Sequence, residues 1–130
     1  MHGPREIAYT VSRMTARFST ALLDQARSRQ SQEQEETRLR TLERLRQAVE
    51  RLPVPYESAV PFGSITHQRR FGPSSDIDLG VLGLADEHYF VAKRYLEHEL
   101  SRDVDLIQLE QHRMRDTILK GGSVWKPKDS

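Results

Sequence analysis

The sequence predicts an α/β (α+β) domain in which a small mixed β-sheet is flanked by helices and preceded by a helical N-terminal extension. Apolar residues recur at helical spacing through the first third of the 130-residue chain. Short alternating or apolar runs typical of strands follow, separated by a further helical stretch and by turns rich in glycine, proline and serine. The predicted order is helices and then strand–helix–strand–helix–strand–helix, which indicates a sheet covered by helices.

Residues 1–53 are predicted to form a helical N-terminal segment that packs on the core or on a partner. The members of a first stripe, spaced by three or four residues, are Ile7, Val11, Met14, Phe18 and Leu22. The polar run at 28–37 is either a loop or a fully solvated helix. A second stripe follows at Leu39, Leu42, Leu45, Val49 and Leu52. Pro53 and Pro55 end it, because proline interrupts the helical hydrogen bonds.

Residues 54–126 are predicted to form the core, and residues 127–130 a tail. The expected strands lie within 56–64, 76–82 and 103–109. Residues 65–71 form a short helix or a loop, and 71–75 have the composition of a turn. A helix is expected over 85–101 with Asp86 as its N-cap. The last helix, within 111–120, is stopped by Gly121 and Gly122.

Composition excludes several classes of protein. Hydrophobic residues make up 36% of the chain and charged residues 30%, a globular balance. The formal net charge of +1 argues against electrostatic coating of nucleic acid, and no direct nucleic-acid binding is expected. The absence of cysteine excludes disulfides and thiolate metal sites. No apolar run approaches the length of a membrane span or of a signal peptide, so we expect a soluble, cytoplasmic protein without membrane contact.

Acidic residues on two predicted strands indicate a metal site. Asp76 and Asp78 lie two apart, so both carboxylates project from one face of their strand. Adjacent carboxylates are costly to bury without a counter-charge, and a divalent cation such as Mg²⁺ supplies one. Asp105 lies centrally in the next strand and can join this cluster, while Asp103 shares its face and is a rival third ligand. Three carboxylates could hold two metal ions for phosphoryl or nucleotidyl transfer.

A Gly-Ser turn after the first predicted strand indicates a phosphate site. Gly63 allows close approach of the backbone to a phosphate, and Ser64 adds a hydroxyl donor or caps the following helix. Arg69 and Arg70 could bind triphosphate oxygens, although a solvated loop explains either equally well. The lysine of a P-loop is absent, which excludes a Walker-type site.

These motifs resemble those of a known family. FGS at 62–64, ITHQRRFGPSS at 65–75 and DIDL at 76–79 are similar to the Gly-Ser…Asp-X-Asp signature of the polymerase-β-type nucleotidyltransferase superfamily. DVDLI at 103–107 resembles its third acidic strand, and RDTILKGGSVW at 115–125 resembles the ending of the minimal nucleotidyltransferases. The resemblance covers roughly residues 54–126. The spacing between Ser64 and Asp76 is one residue longer than usual, and Gln68-Arg69-Arg70 replaces the common Arg-Gly.

The resemblance implies a polymerase-β-like nucleotidyltransferase fold and a function. Minimal nucleotidyltransferases are often the antitoxins of toxin–antitoxin pairs with HEPN toxins, and related antitoxins transfer AMP to a tyrosine of the toxin. It therefore implies AMP transfer from ATP to a HEPN-type toxin within a hetero-oligomer. Asp76, Asp78 and Asp105 would be the catalytic and Mg²⁺-binding residues, and Gly63, Ser64, Arg69 and Arg70 would bind the nucleotide. The alternatives are an antitoxin that acts by binding and occlusion alone, or a transferase for small molecules of the antibiotic type.

Overall fold

The computed structural model describes the backbone of residues 3–128 and the side chains of residues 20–128. In this part of the chain the α-helices are α1 (Gly3–Glu50), α2 (Tyr89–Leu100) and α3 (Arg115–Gly121). The strands are β1 (Ser58–Phe62), β2 (Ile77–Leu82) and β3 (Val104–Gln108). Short 3-10 helices lie at Gly63–Thr66 and Asp86–His88. The predicted mixture of helices and three strands is confirmed, with a single N-terminal helix and only a 3-10 helix between β1 and β2.

The helical N-terminal segment is one helix, because α1 continues through the polar run at 28–37. Glutamate, glutamine and arginine are good helix formers, and ion pairs such as Glu35–Arg38 lie one turn apart on its surface. The run is therefore a helix, as in the second of the two alternatives, but it is not fully solvated, because residues such as Gln34 and Glu35 are partly buried. Of the first apolar stripe only Leu22 has a described side chain, and it is half exposed; the others lie outside the described side chains.

The chain forms two compact units, one ending at Glu33 and one beginning at Gln34. The first unit consists of the N-terminal part of α1, and the second contains the rest of the chain, including the sheet. Side chains 20–30 of the first unit are all exposed. Among the described residues, no helix combines the length and the apolar character that crossing a membrane requires.

The three-stranded sheet has the order β1-β2-β3 and is mixed, as predicted, because β2 is antiparallel to β1 and parallel to β3. The helix α2 connects the two parallel strands, as a parallel connection requires. After α3 the chain returns to the outer edge of β1, where Ala59 and Trp125 exchange two backbone hydrogen bonds of 2.8 Å. This bridge anchors the C-terminal segment and covers a sheet edge.

Side chains pack on both faces of the sheet. On one face, α1 and α2 enclose the larger apolar cluster, whose fully buried members include Leu45, Ile77, Leu79, Leu96 and Val49. On the other face, the smaller cluster consists of Val60, Leu109 and Ile118, the last of these from α3. Gly80 belongs to this second face, since an added Cβ would lie 2.7 Å from Cδ1 of Leu109. Both layers follow from the alternation of side chains along the strands.

The expectation that Asp86 caps a helix is wrong. Ala85 precedes the 3-10 helix and His88 precedes α2, and neither makes a side-chain capping bond. The Asp86 carboxylate instead accepts a hydrogen bond of 2.8 Å from Nε2 of Gln108, at the end of β3. A partner 22 residues away in the chain outcompetes the local capping role.

Candidate functional site

Asp78 and Asp105 are direct neighbours across the parallel strands β2 and β3. Ile77 and Leu79, on either side of Asp78, are buried in the larger cluster, so Asp78 projects from the opposite face. Asp105 alternates in the same way with two buried residues of β3. The helix α3 packs further along this face, and the beginnings of the two strands remain accessible: Asp78 is half-buried and Asp105 is exposed.

Asp76 lies one residue before β2 and is exposed. Partial burial raises the pKa of Asp78, and the charges of Asp105 and Asp76 raise it further. Asp103, the rival to Asp105, lies one residue before β3 and is not among the charges that act on Asp78. The structure therefore brings Asp105, rather than Asp103, to the level of Asp78.

The acidic cluster of Asp76, Asp78 and Asp105 has no basic partner within residues 20–128, where the ion pairs lie elsewhere. Oxygen donors with this unbalanced negative charge fit a divalent cation such as Mg²⁺. Neighbouring strands are about 4.8 Å apart, so carboxylates at paired positions can share one ion. Within the same described residues no three His, Cys, Asp or Glu side chains lie close enough to hold a metal, so gathering the three carboxylates on one ion would require a change of rotamer.

Gly63 connects the Gly-Ser turn to the acidic cluster. Its φ of 74° lies in the left-handed region, which favours glycine. A Cβ added there would lie only 2.1 Å from Oδ2 of Asp78. Since Phe62 pairs with Asp78 in the antiparallel ladder, the turn begins immediately beside that carboxylate. Ser64 follows, half-buried, in the 3-10 helix that this turn starts.

Arg69 and Arg70 are exposed in the turn that follows the 3-10 helix. Arg69 adopts a φ of 69°, an uncommon backbone conformation for a residue other than glycine. Its backbone amide and its charge both help to hold the pKa of Glu35 below its usual value, after the larger effect of Arg38. The guanidinium of Arg70 has no partner in residues 20–128. The structure thus places both arginines on the loop between Ser64 and Asp76, with one of them directed partly to α1.

The residues of α1 that hold this loop were not anticipated from the sequence. Arg38 donates from Nη1 to the carbonyl oxygen of Ile65 at 2.9 Å. It also binds the Glu35 carboxylate, with Nη2 at 2.5 Å from Oε1, and this holds the pKa of Glu35 below its usual value. The i,i+3 spacing of the pair is visible in the sequence, but its contact with a loop 27 residues later is not.

Comparisons with known proteins return no relatives. No model of a protein family matches the chain, and no curated protein or solved structure is significantly similar to it.

Proposed function

We propose that this protein is a Mg²⁺-dependent nucleotidyltransferase that transfers AMP from ATP to a partner protein of the HEPN toxin type. The observation that carries the proposal is the pairing of Asp78 with Asp105, with Asp76 beside them and the Gly63 turn against the Asp78 carboxylate. The acids lack a basic partner within residues 20–128. This combination suits chemistry in which a cation and a triphosphate are held together.

The acidic cluster would hold the metal. Bound Mg²⁺ would offset the negative charge of the triphosphate and of the leaving pyrophosphate. The half-buried Asp78 has its charged form disfavoured by burial and by two neighbouring acids. It would therefore gain most from a cation, because the same cation relieves each of these costs.

The Gly63 turn would bind the phosphates. Without a Cβ at Gly63, the backbone next to Asp78 can approach an oxygen anion closely. The hydroxyl of Ser64 and the backbone N–H groups at the start of the 3-10 helix would donate to that anion. Arg70 is exposed and would add a guanidinium donor to the triphosphate, with Arg69 in support.

Asp105 would accept the proton of the incoming hydroxyl group. It is exposed at the level of Asp78, so an acceptor can reach it. The acceptor oxygen would attack the α-phosphorus, the bond to pyrophosphate would break, and the hydroxyl proton would pass to the carboxylate. A tyrosine suits this step because the pKa of a phenol, about 10, is far below that of an aliphatic alcohol.

A second candidate function is neutralisation of the partner by binding alone. The exposed side chains along residues 20–30 favour it, because Leu22 and Leu23 are 49% and 56% exposed on one helix. Adjacent exposed leucines enlarge the apolar surface that this part of the helix offers to a partner. Catalysis and occlusion are compatible with each other.

The test is to co-express the protein with the product of the adjacent reading frame and to weigh the intact partner by mass spectrometry. The proposal predicts a gain of one AMP with wild type and none with Asp76→Asn/Asp78→Asn. Since loss of an outer-sphere partner already lowers metal affinity or activity about 10- to 100-fold, loss of two ligands is expected to exceed that. Asp103→Asn is the matched control and should retain transfer.

The outcomes separate the candidates. Undiminished transfer by the double variant would refute the mechanism. A partner that is neutralised without added mass would favour occlusion. A protein that ignores the adjacent gene product but consumes ATP in the presence of aminoglycoside-like alcohols would instead be a small-molecule transferase.

A further inference from the structure

The loop that precedes Asp76 is held by the side chain of Arg102. Its Nη1 donates to the carbonyl oxygens of Gly72 and Ser75, at 3.0 and 2.9 Å. Its guanidinium carbon lies 4.4 Å from the centroid of the Phe71 ring, which is buried. A planar guanidinium that both stacks on a ring and donates hydrogen bonds is held in one orientation. Arg102 therefore fixes the loop just before the acidic cluster.

Asp103, the residue after Arg102, holds the backbone on the other side of Asp76. The backbone N–H of Ile77 donates to the carbonyl oxygen of Asp103 at 3.0 Å. Asp76 thus lies between two backbone groups that bind the segment just before β3. The carbonyl oxygen of Ser75 accepts a hydrogen bond from Arg102, and the N–H of Ile77 donates one to Asp103. Asp103 takes part through its backbone, which gives it a role that does not require its carboxylate.

The sheet alone does not fix Asp76, because this residue is exposed and precedes the first residue of β2. Asp78 and Asp105, by contrast, are fixed by their register. We propose that Arg102 is a positioning residue, which sets the backbone of Asp76 so that its carboxylate meets those of Asp78 and Asp105 on a shared divalent cation. This inference rests on the proposed function. Arg102 is not among the charges acting on Asp78, so it works through loop geometry.

The experiment measures Mn²⁺ binding by electron paramagnetic resonance, with no nucleotide or acceptor present. Arg102→Met keeps an unbranched side chain over Phe71 and removes the donors. Arg102→Lys keeps a donor at the end of a similar stem. The control is Arg94→Met, since Arg94 is an exposed arginine of α2 without a partner among the described side chains. A second control, Leu84→Ala, destabilises the fold through a buried residue beyond the far end of β2.

We expect Mn²⁺ affinity to fall about 10- to 100-fold in Arg102→Met, as for other outer-sphere partners of metals, and to recover in part in Arg102→Lys. Arg94→Met and Leu84→Ala should bind Mn²⁺ as wild type does. Urea unfolding shows that each variant is folded during the assay. A purely structural role would lower stability without changing the affinity.

The possible failures are distinguishable. Equal affinity of wild type and Arg102→Met would overturn this inference and leave the proposed function standing. An equal fall in the Leu84→Ala control would overturn it too, since lost stability would then explain the effect. Where Arg102→Met is unfolded, Arg102→Gln, whose shorter side chain lacks the guanidinium, takes its place, and equal affinity of Arg102→Gln and wild type has the same meaning. Absence of Mn²⁺ binding by wild type would overturn the proposed function together with this inference.

Discussion

At Gly63 the backbone is left-handed, and a Cβ added there would lie 2.1 Å from the Asp78 carboxylate. Gly63→Ala combines a left-handed alanine, which costs about 1–2 kcal/mol, with displacement of that carboxylate. The left-handed alanine lowers the stability of the fold, whereas the displaced Asp78 carboxylate disturbs the metal and phosphate site, and we expect the affinity for ATP with Mg²⁺ to fall about tenfold, equivalent to about 1.4 kcal/mol. Calorimetric titration measures this. The added methyl group would thus displace the Asp78 carboxylate, in addition to blocking the approach of a phosphate to the backbone.

The control for this prediction is Gly121→Ala at the end of α3. A Cβ there would have no atom within 4 Å, so ATP affinity should be unchanged. An equal affinity of Gly63→Ala and Gly121→Ala for the nucleotide would contradict the role assigned to the turn.

Asp78 also predicts a dependence of stability on pH in the metal-free protein. Its pKa is raised in the folded state by burial and then by Asp105 and Asp76. The protonated group therefore favours folding, a contribution that is fully present below the pKa of the unfolded chain, about 3.9, and is lost as the pH rises through the raised folded pKa. At pH 7 in EDTA, Asp78→Asn should unfold at a higher urea concentration than wild type. The difference should shrink as the pH falls towards 4.

Asp103→Asn is the matched control, because Asp103 is not among the charges acting on Asp78. Its urea midpoint at pH 7 should stay closer to that of wild type. If Asp78→Asn were less stable than wild type in EDTA at pH 7, the unfavourable environment inferred for this carboxylate would be refuted.

At the scale of the elements, α1 holds the loop that would bind the nucleotide. Arg38 donates to the carbonyl oxygen of Ile65, and its guanidinium is held in place by the Glu35 carboxylate. Hydrogen bonds to charged groups contribute about 1.5–3 kcal/mol, so Arg38→Ala should release the loop, and reordering it on binding would weaken ATP binding by at most about 10- to 150-fold. Arg46→Ala is the control, since Arg46 pairs with glutamates of α1 only. Equal ATP affinities of the two variants would show that α1 does not hold the loop.

The sequence predicted the strands and the acidic cluster because their signals are local. Alternation around Asp78 and Asp105 identifies both strands and the face on which each carboxylate lies. The polar run at 28–37 was ambiguous, since a solvated helix without apolar periodicity looks like a loop. The interactions of Arg102 could not be predicted, because its partners lie 27 and 30 residues away in the chain and depend on the pairing of β2 with β3.

At the scale of the whole molecule, the acidic cluster and the larger apolar cluster lie on opposite faces of one sheet. The acids alternate along β2 and β3 with residues buried against α1 and α2. Substitutions of the acids therefore change the charge of an accessible surface without opening the core. The packed strands hold the acids at a fixed spacing. This division is the reason why the acidic variants above are expected to remain folded, so that a loss of transfer in them reports on the site.

The last prediction concerns which part of α1 belongs to the folding unit. The sequence predicts a helical segment over residues 1–53 that packs on the core or on a partner. The second compact unit begins within this segment, at Gln34, and Leu45 and Val49 are fully buried in the larger cluster. Burying such side chains contributes about 1.5–3 kcal/mol each, against a typical domain stability of about 5–15 kcal/mol. Tyr56 would also lose the carbonyl oxygen of Val49, to which it donates at 2.7 Å.

A variant lacking residues 1–33 should therefore unfold cooperatively in urea and bind Mn²⁺ as the full chain does, whereas removal of residues 1–53 should leave the protein unfolded. Circular dichroism during urea titration distinguishes the two variants. A cooperative transition in the variant lacking residues 1–53 would show that the core folds without α1. If the first unit binds the partner, the variant lacking residues 1–33 should keep ATP binding and lose neutralisation.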